Sequence, residues 1–282
     1  MRTLLSALAA LLALLVGAGG LAATWVDVNL VEESGFVALA APLGADQDFQ
    51  AALGDSLAGE VAANTGLPEQ LKSLIEPVIR DAAGAVSSSS GYPTAWAETL
   101  RLSHSFTFAR APEPSEDAPA VLTLDLAPII TLLSDNVAGR LGVEVPLVED
   151  TTIDVGRVER GGVLSGMSDA VEPWPLYLGA AGIIALLALV IARRRGTTLA
   201  LLGLGVAGIG GVGVLAGAWL PGLAIGAPGT GAVADVFLRG LTGRAAVSIA
   251  ESSTPIIVVG LLAALLGVAA RLALGRHRRS RP

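Results

Sequence analysis

The sequence predicts a membrane α-helical bundle of four transmembrane helices plus a mainly helical α+β extracytoplasmic domain. Three observations predict it: four uncharged apolar runs, arginines confined to the ends of those runs, and a long acidic stretch with its own amphipathic periodicity between the first run and the second. The 282 residues are 52% hydrophobic, with a mean hydropathy of +0.67. That is more apolar surface than a soluble domain hides in its own core, so lipid must take the surplus. The chain has no cysteine. Disulfide frameworks, thiolate metal sites and cysteine nucleophiles are thereby excluded, and two histidines, His104 and His277, leave little for histidine-based metal binding.

The first apolar run, residues 1–24, follows Arg2 and carries no charge from Leu4 to Ala23. As a helix it spans about 30 Å, the thickness of a bilayer's hydrocarbon. We read it as an uncleaved signal anchor because it is longer than a usual signal-peptide core; the rival reading is a cleaved signal with its site near Gly20, Leu21 and Ala22. The second span, 175–193, is introduced by Trp174 and Tyr177 and stopped by Arg193, Arg194 and Arg195, which act as topology anchors. A turn at 194–196 leads into the third span, 197–220, which ends at Pro221 and Gly222. After a segment at 221–253, the fourth span, 254–275, starts near Pro255 and leads into a basic tail, 276–282.

Charge orients these spans. Residues 25–174 carry 23 Asp and Glu against 7 Lys and Arg, a net charge of −16. The basic segments without acid are Arg2, the turn at Arg193–Arg195, and Arg276, Arg278, Arg279 and Arg281. The positive-inside rule places all of them in the cytoplasm. The expected protein is thus multi-pass in the plasma membrane, with both termini cytoplasmic and residues 25–174 outside. So acidic an exposed domain repels phosphates, which argues against a nucleic-acid partner.

The third span contains G-x-G-x-x-G twice, at Gly203, Gly205 and Gly208 and again at Gly208, Gly210 and Gly213. A dinucleotide site needs a preceding strand, a helix that opens at the glycines, and an acid some 20 residues on. Here the glycines lie in mid-span, in an uncharged run from Gly196 to Ala234 that offers no water-exposed helix start, so no nucleotide is expected. Gly213 and Gly217 instead supply a G-x-x-x-G pair for helix packing.

Within 25–174, Asp46 is the expected N-cap of a helix that places Phe49, Leu53, Leu57 and Val61 on one face, with Gly66 as its stop. A second helix follows from Pro68, with Leu71, Leu74, Ile75, Val78 and Ile79 on its apolar face and a kink at Pro77. The run SSSSG at 87–91 is a connection, and a third helix carries Trp96, Leu100 and His104. After a solvated loop at 112–119, VLTLDL alternates with period two and reads as a strand; Pro128 opens a fourth helix with Ile130, Leu133, Val137 and Leu141. A short strand at 152–155 and a last helix at 157–171 lead to the second span. The segment 221–253 reads as an amphipathic helix that lies on the membrane or docks under the large domain.

Four stretches carry a resemblance to a known family. SGFVALAAPLGADQDFQAAL, AWAETLRLSHSF, VLTLDLAPII and RRRG, taken with the four-span layout, resemble actinobacterial multi-pass integral membrane proteins of unknown function that have an extracytoplasmic domain between the first and second spans. The serine-rich stretch at 87–91 departs from that pattern. The resemblance implies an architecture and no chemistry.

Trp96, His104 and Asp125 are the candidate ligand or structural residues. His104 as base with Asp125 as orienter is the functional reading; a buried helix histidine and a helix-capping aspartate is the structural one. The latter is preferred because no nucleophile or second base accompanies His104. Glu113, Glu116 and Asp117, and Glu149, Asp150 and Asp154, lack calcium-loop spacing, so no catalytic residue, metal or cofactor is assigned. No ionisable residue occupies the middle of a span, which disfavours ion-coupled transport. The expected function is that of a non-enzymatic cell-envelope binding or interaction protein, whose partners are the lipid bilayer and an envelope protein or cell-wall component. The alternatives are an accessory subunit of an envelope transport or secretion complex, for which the glycine-rich third span would contact partner helices, and an envelope hydrolase.

Overall fold

The computed structural model describes residues 1–64, 77, 80–82, 84–108, 120–141, 152–158, 162–223 and 231–279. The second predicted helix (Pro68, Leu71, Leu74, Ile75, Val78, Ile79), Gly66, the loop acids Glu113, Glu116 and Asp117, and Glu149 with Asp150 lie outside them, apart from the kink position Pro77, which is helical. The chain divides into two compact units. A span unit comprises Met1–Asp27, Asp169–Leu220 and Ala245–Pro282; a second unit comprises Val28–Ser168 and Pro221–Arg244.

Four helices are long and apolar enough to cross a membrane: Arg2–Val31, Gly166–Ile191, Arg195–Gly222 and Ala232–Ala273. They correspond to α1 (Arg2–Val26) with the π turn Asp27–Val31, and, further along, α7 (Trp174–Ile191), α8 (Arg195–Leu223) and α9 (Ala232–Arg279), the last two running past the span ends. Leucines such as Leu11, Leu15, Leu186, Leu262, Leu265 and Leu266 are exposed along them, as helices solvated by hydrocarbon require. Polar groups are paired inside: the Ser6 hydroxyl donates to the Ala188 carbonyl at 2.9 Å, Trp25 Nε1 to the Ser248 hydroxyl at 3.1 Å, and Trp174 Nε1 to Asp27 Oδ2 at 3.0 Å.

Gly213 and Gly217 both lie against α9, and they belong to a longer row of glycines that the G-x-x-x-G reading does not include. Gly196, Gly203, Gly210 and Gly217 recur every seven residues and meet Gly267, Gly260, Ser253 and Ala246, also seven apart, on the antiparallel α9. A Cβ on Gly203 would overlap the Ala264 amide nitrogen and stand 2.6 Å from the Gly260 carbonyl oxygen; on Gly217 it would stand 2.9 Å from the Ala246 carbonyl oxygen. Gly213 meets the Ser253 hydroxyl instead. A repeat of seven keeps one seam facing one partner over several turns, and only small residues allow backbones this close.

The second unit contains α2 (Glu33–Ala40), the 3₁₀ turn Ala41–Ala45, α3 (Gln47–Asn64), α4 (Tyr92–Phe108), β1 (Ala120–Asp125), α5 (Ala127–Leu141), β2 (Thr152–Val158) and most of α6 (Gly162–Val171). Asp46 caps α3: its Oδ1 accepts from the amides of Asp48 and Phe49 at 3.0 and 3.1 Å. β1 and β2 pair antiparallel from Ala120–Val158 to Asp125–Thr152, with an irregularity between Leu122 and Thr123. Among the described residues one strand pair sits among helices, so what is described of the unit is nearly all helix and the α+β label overstates its strand content.

Several boundaries move. Arg157 and Val158 belong to β2, opposite Val121 and Ala120, and α6 starts only at Gly162, because cross-strand pairing satisfies backbone groups that local pattern assigned to a helix. The first helix continues past residue 24 through the π turn, and α8 passes Pro221 by two residues. No break separates 253 from 254. α9 is one helix through Pro255, which removes a single backbone donor from a long hydrogen-bonded ladder. Its first residues are not a detached surface helix: Val233, Ala234, Val236 and Phe237 are buried in the core of the second unit.

Candidate functional site

The core of the second unit is built around Trp96, which is 1% exposed. Its ring packs edge-on against Phe49 and Phe237, with centroids 5.6 and 6.4 Å away, and stacks at 6.5 Å on Tyr92. Its Nε1 donates to the Ala40 carbonyl at 3.2 Å, which satisfies the one polar atom such a ring buries. Gly44 lies against the same ring, and a Cβ there would overlap it. Burial also acts on Tyr92, pushing its phenol up from 10.0 to about 12.

Two turns further along the same face of α4 the chemistry becomes polar. Thr99, Ser103 and His104 are buried, as is Asp125 at the end of β1; His104 is 7% and Asp125 8% exposed. The Ser103 hydroxyl donates to the Thr99 carbonyl at 2.6 Å and accepts from the Asp125 amide at 3.0 Å, which ties α4 to the end of β1. Asp125 Oδ1 accepts from the Ala127 amide at 2.9 Å and so closes the turn that opens α5. His104 Nε2 stands 3.1 Å from the Leu30 carbonyl oxygen. A carbonyl only accepts, so Nε2 carries the proton. Leu30 lies at the end of the π turn, where helical carbonyls lack intrahelical partners, and His104 supplies one. Phe36 covers the imidazole, with ring centroids 5.4 Å apart.

The arrangement therefore brings His104 and Asp125 to neighbouring places on α4 and β1, while Trp96 keeps separate aromatic neighbours. What it does chemically is hold three chain segments together. Among the described residues no group of three His, Asp or Glu side chains converges to hold a metal ion. The G-x-G-x-x-G glycines point in different directions: Gly203 toward α9, Gly205 toward Leu14 of α1, and Gly208 toward open space. They form no cradle around a phosphate. Arg193, Arg194 and Arg195 are exposed in the turn between α7 and α8. Sequence reasoning missed Gly44 and Phe237, for which no local signal exists. It also missed Gly196, Gly203 and Gly210 as one row, although their spacing of seven was present in the sequence.

These units define a helical membrane protein with four candidate spans. No protein-family model, no curated protein and no solved structure matches the chain.

Proposed function

We propose that the chain is a multi-pass plasma-membrane protein whose second unit faces the outside and acts as a non-enzymatic binding or interaction module of the cell envelope. The observation that carries the reading is the occupation of the candidate catalytic pair. His104 and Asp125 are buried, and their identified hydrogen bonds go to the backbone at Leu30 and Ala127. A general base must meet the proton it removes within hydrogen-bond reach, and an imidazole that is 7% exposed and covered by Phe36 is poorly placed for that. The net charge of −16 over residues 25–174 supports an outward placement opposite the arginine-rich segments and suits a partner with a basic surface. Membership of a transport or secretion complex gains no support from the α8 glycine row, since α9 of the same chain occupies it.

Crosslinking of the full chain in native membranes, read by mass spectrometry, tests the proposal. Crosslinks from the second unit to one recurrent envelope component are expected. A chain without such crosslinks that turns over a wall or lipid substrate, and loses that activity in His104→Gln, would reverse the conclusion in favour of an enzyme.

A further inference from the structure

Five arginines of the span unit come together at one end of its helices. The Ser6–Ala188 hydrogen bond sets α1 beside the antiparallel α7, and one further turn along each brings Arg2 level with Ala192 and Arg193. Gly196 lies against the backbone of Arg271, where a Cβ would stand 2.9 Å from the Arg271 amide nitrogen. Arg193, Arg194 and Arg195 form the turn between these two contacts, and all five side chains are exposed.

The carboxylates of this unit are elsewhere. Asp27 is at the other end of α1, where it accepts from Trp174; Asp169 and Glu172 lie just before Trp174; Glu251 precedes Arg271 on α9 by about 30 Å. Guanidinium groups are best satisfied by paired oxygens held in a plane, as phosphate offers them. Beside the arginines, Leu5, Val190 and Leu272 are exposed as well. Hydrocarbon next to five cations selects a ligand that carries both an anionic head and an apolar tail.

We propose that this end of the bundle is a binding surface for anionic phospholipid headgroups, with Arg2, Arg193, Arg194, Arg195 and Arg271 holding the phosphodiester and the adjoining leucines and valine receiving the acyl chains. The site rests on the membrane-spanning reading of the four helices and is independent of what the second unit binds.

The test uses the full chain in a neutral detergent, offered equal amounts of phosphatidylglycerol and phosphatidylcholine with the same acyl chains, and counts retained lipid by native mass spectrometry. Retention of phosphatidylglycerol in about five-fold excess or more is expected. The combined variant Arg193→Gln, Arg194→Gln, Arg195→Gln, Arg271→Gln should bring the two lipids to parity, with helicity and elution volume unchanged. Lysine at the same four positions keeps the charge and should lower the preference only in part, which also covers the case in which the glutamine variant does not fold. Equal retention of both lipids by the original chain overturns the proposal, as does an undiminished preference in the lysine variant. Displacement of phosphatidylglycerol by millimolar inorganic phosphate would likewise overturn it, by marking a site for free anions.

Discussion

At His104, one carbonyl decides which ring nitrogen carries the proton, and that contact ties α4 to the chain at Leu30. In His104→Ala the partly buried Leu30 carbonyl loses this donor, and the cost should be about 1 kcal/mol in thermal or denaturant unfolding. Glutamine can still donate, so His104→Gln should recover part of that loss; equal damage by both variants would argue against the hydrogen bond as the cause. Ser103→Ala should cost a similar amount, because it strips the Asp125 amide of its acceptor. Tyr92 predicts a pH effect. Its phenol is held neutral to about 12 in the fold and ionises from 10.0 when unfolded, so the contribution to stability is complete below pH 10 and is lost as pH rises toward 12, by roughly 2 kcal/mol. Unfolding measured across that window should show a shallower alkaline decline in Tyr92→Phe than in the original chain.

At the scale of the element, the pairing of α8 with α9 depends on which glycine is changed. Gly203 touches the α9 backbone, whereas nothing lies within 4 Å of a Cβ at Gly208. Gly203→Ala should therefore cost about 1–3 kcal/mol through forced separation of the helices, while Gly208→Ala leaves stability unchanged or slightly improved. Comparing the thermal midpoints of the two purified variants checks the seam directly, and equal midpoints would remove it. Period seven at 196, 203, 210 and 217 was legible in the sequence, but so was the four-residue spacing of Gly213 and Gly217. Only the position of Ser253 and Ala246 on the partner helix shows that both spacings face α9 and that the period of seven meets its backbone. Asp46 shows the opposite case: an N-cap is a local hydrogen bond between neighbours in sequence, so it could be read without the fold.

For the whole molecule, the proposed orientation leads to a labelling prediction that the absence of cysteine makes simple to run. Thr94→Cys, exposed on α4, should react with a membrane-impermeant maleimide in intact cells, and Ser280→Cys only after the membrane is opened. The reverse pattern would invert the topology. Truncation before residue 232 would do more than remove the fourth span. It deletes Val233, Ala234, Val236 and Phe237 from the Trp96 core, so the second unit should lose its cooperative transition along with its span. Trp96→Ala, which empties the centre of the same core, should cost about 3–5 kcal/mol.

The amino-acid sequence by itself determined the four apolar helices, the acidic stretch between the first two, the arginine-bounded turn and the cap at Asp46. Each of these depends on composition or on residues within a few turns of one another, so local pattern suffices. Tertiary structure alone decided that α9 is continuous and shares its first turns with the Trp96 core, that β2 extends to Val158, and that α8 meets α9 through every seventh residue. It also decided that His104 donates to Leu30, 74 residues away. Such contacts join segments far apart in the chain, and their partners are specified by packing and by the need to satisfy buried polar groups, which no local periodicity records.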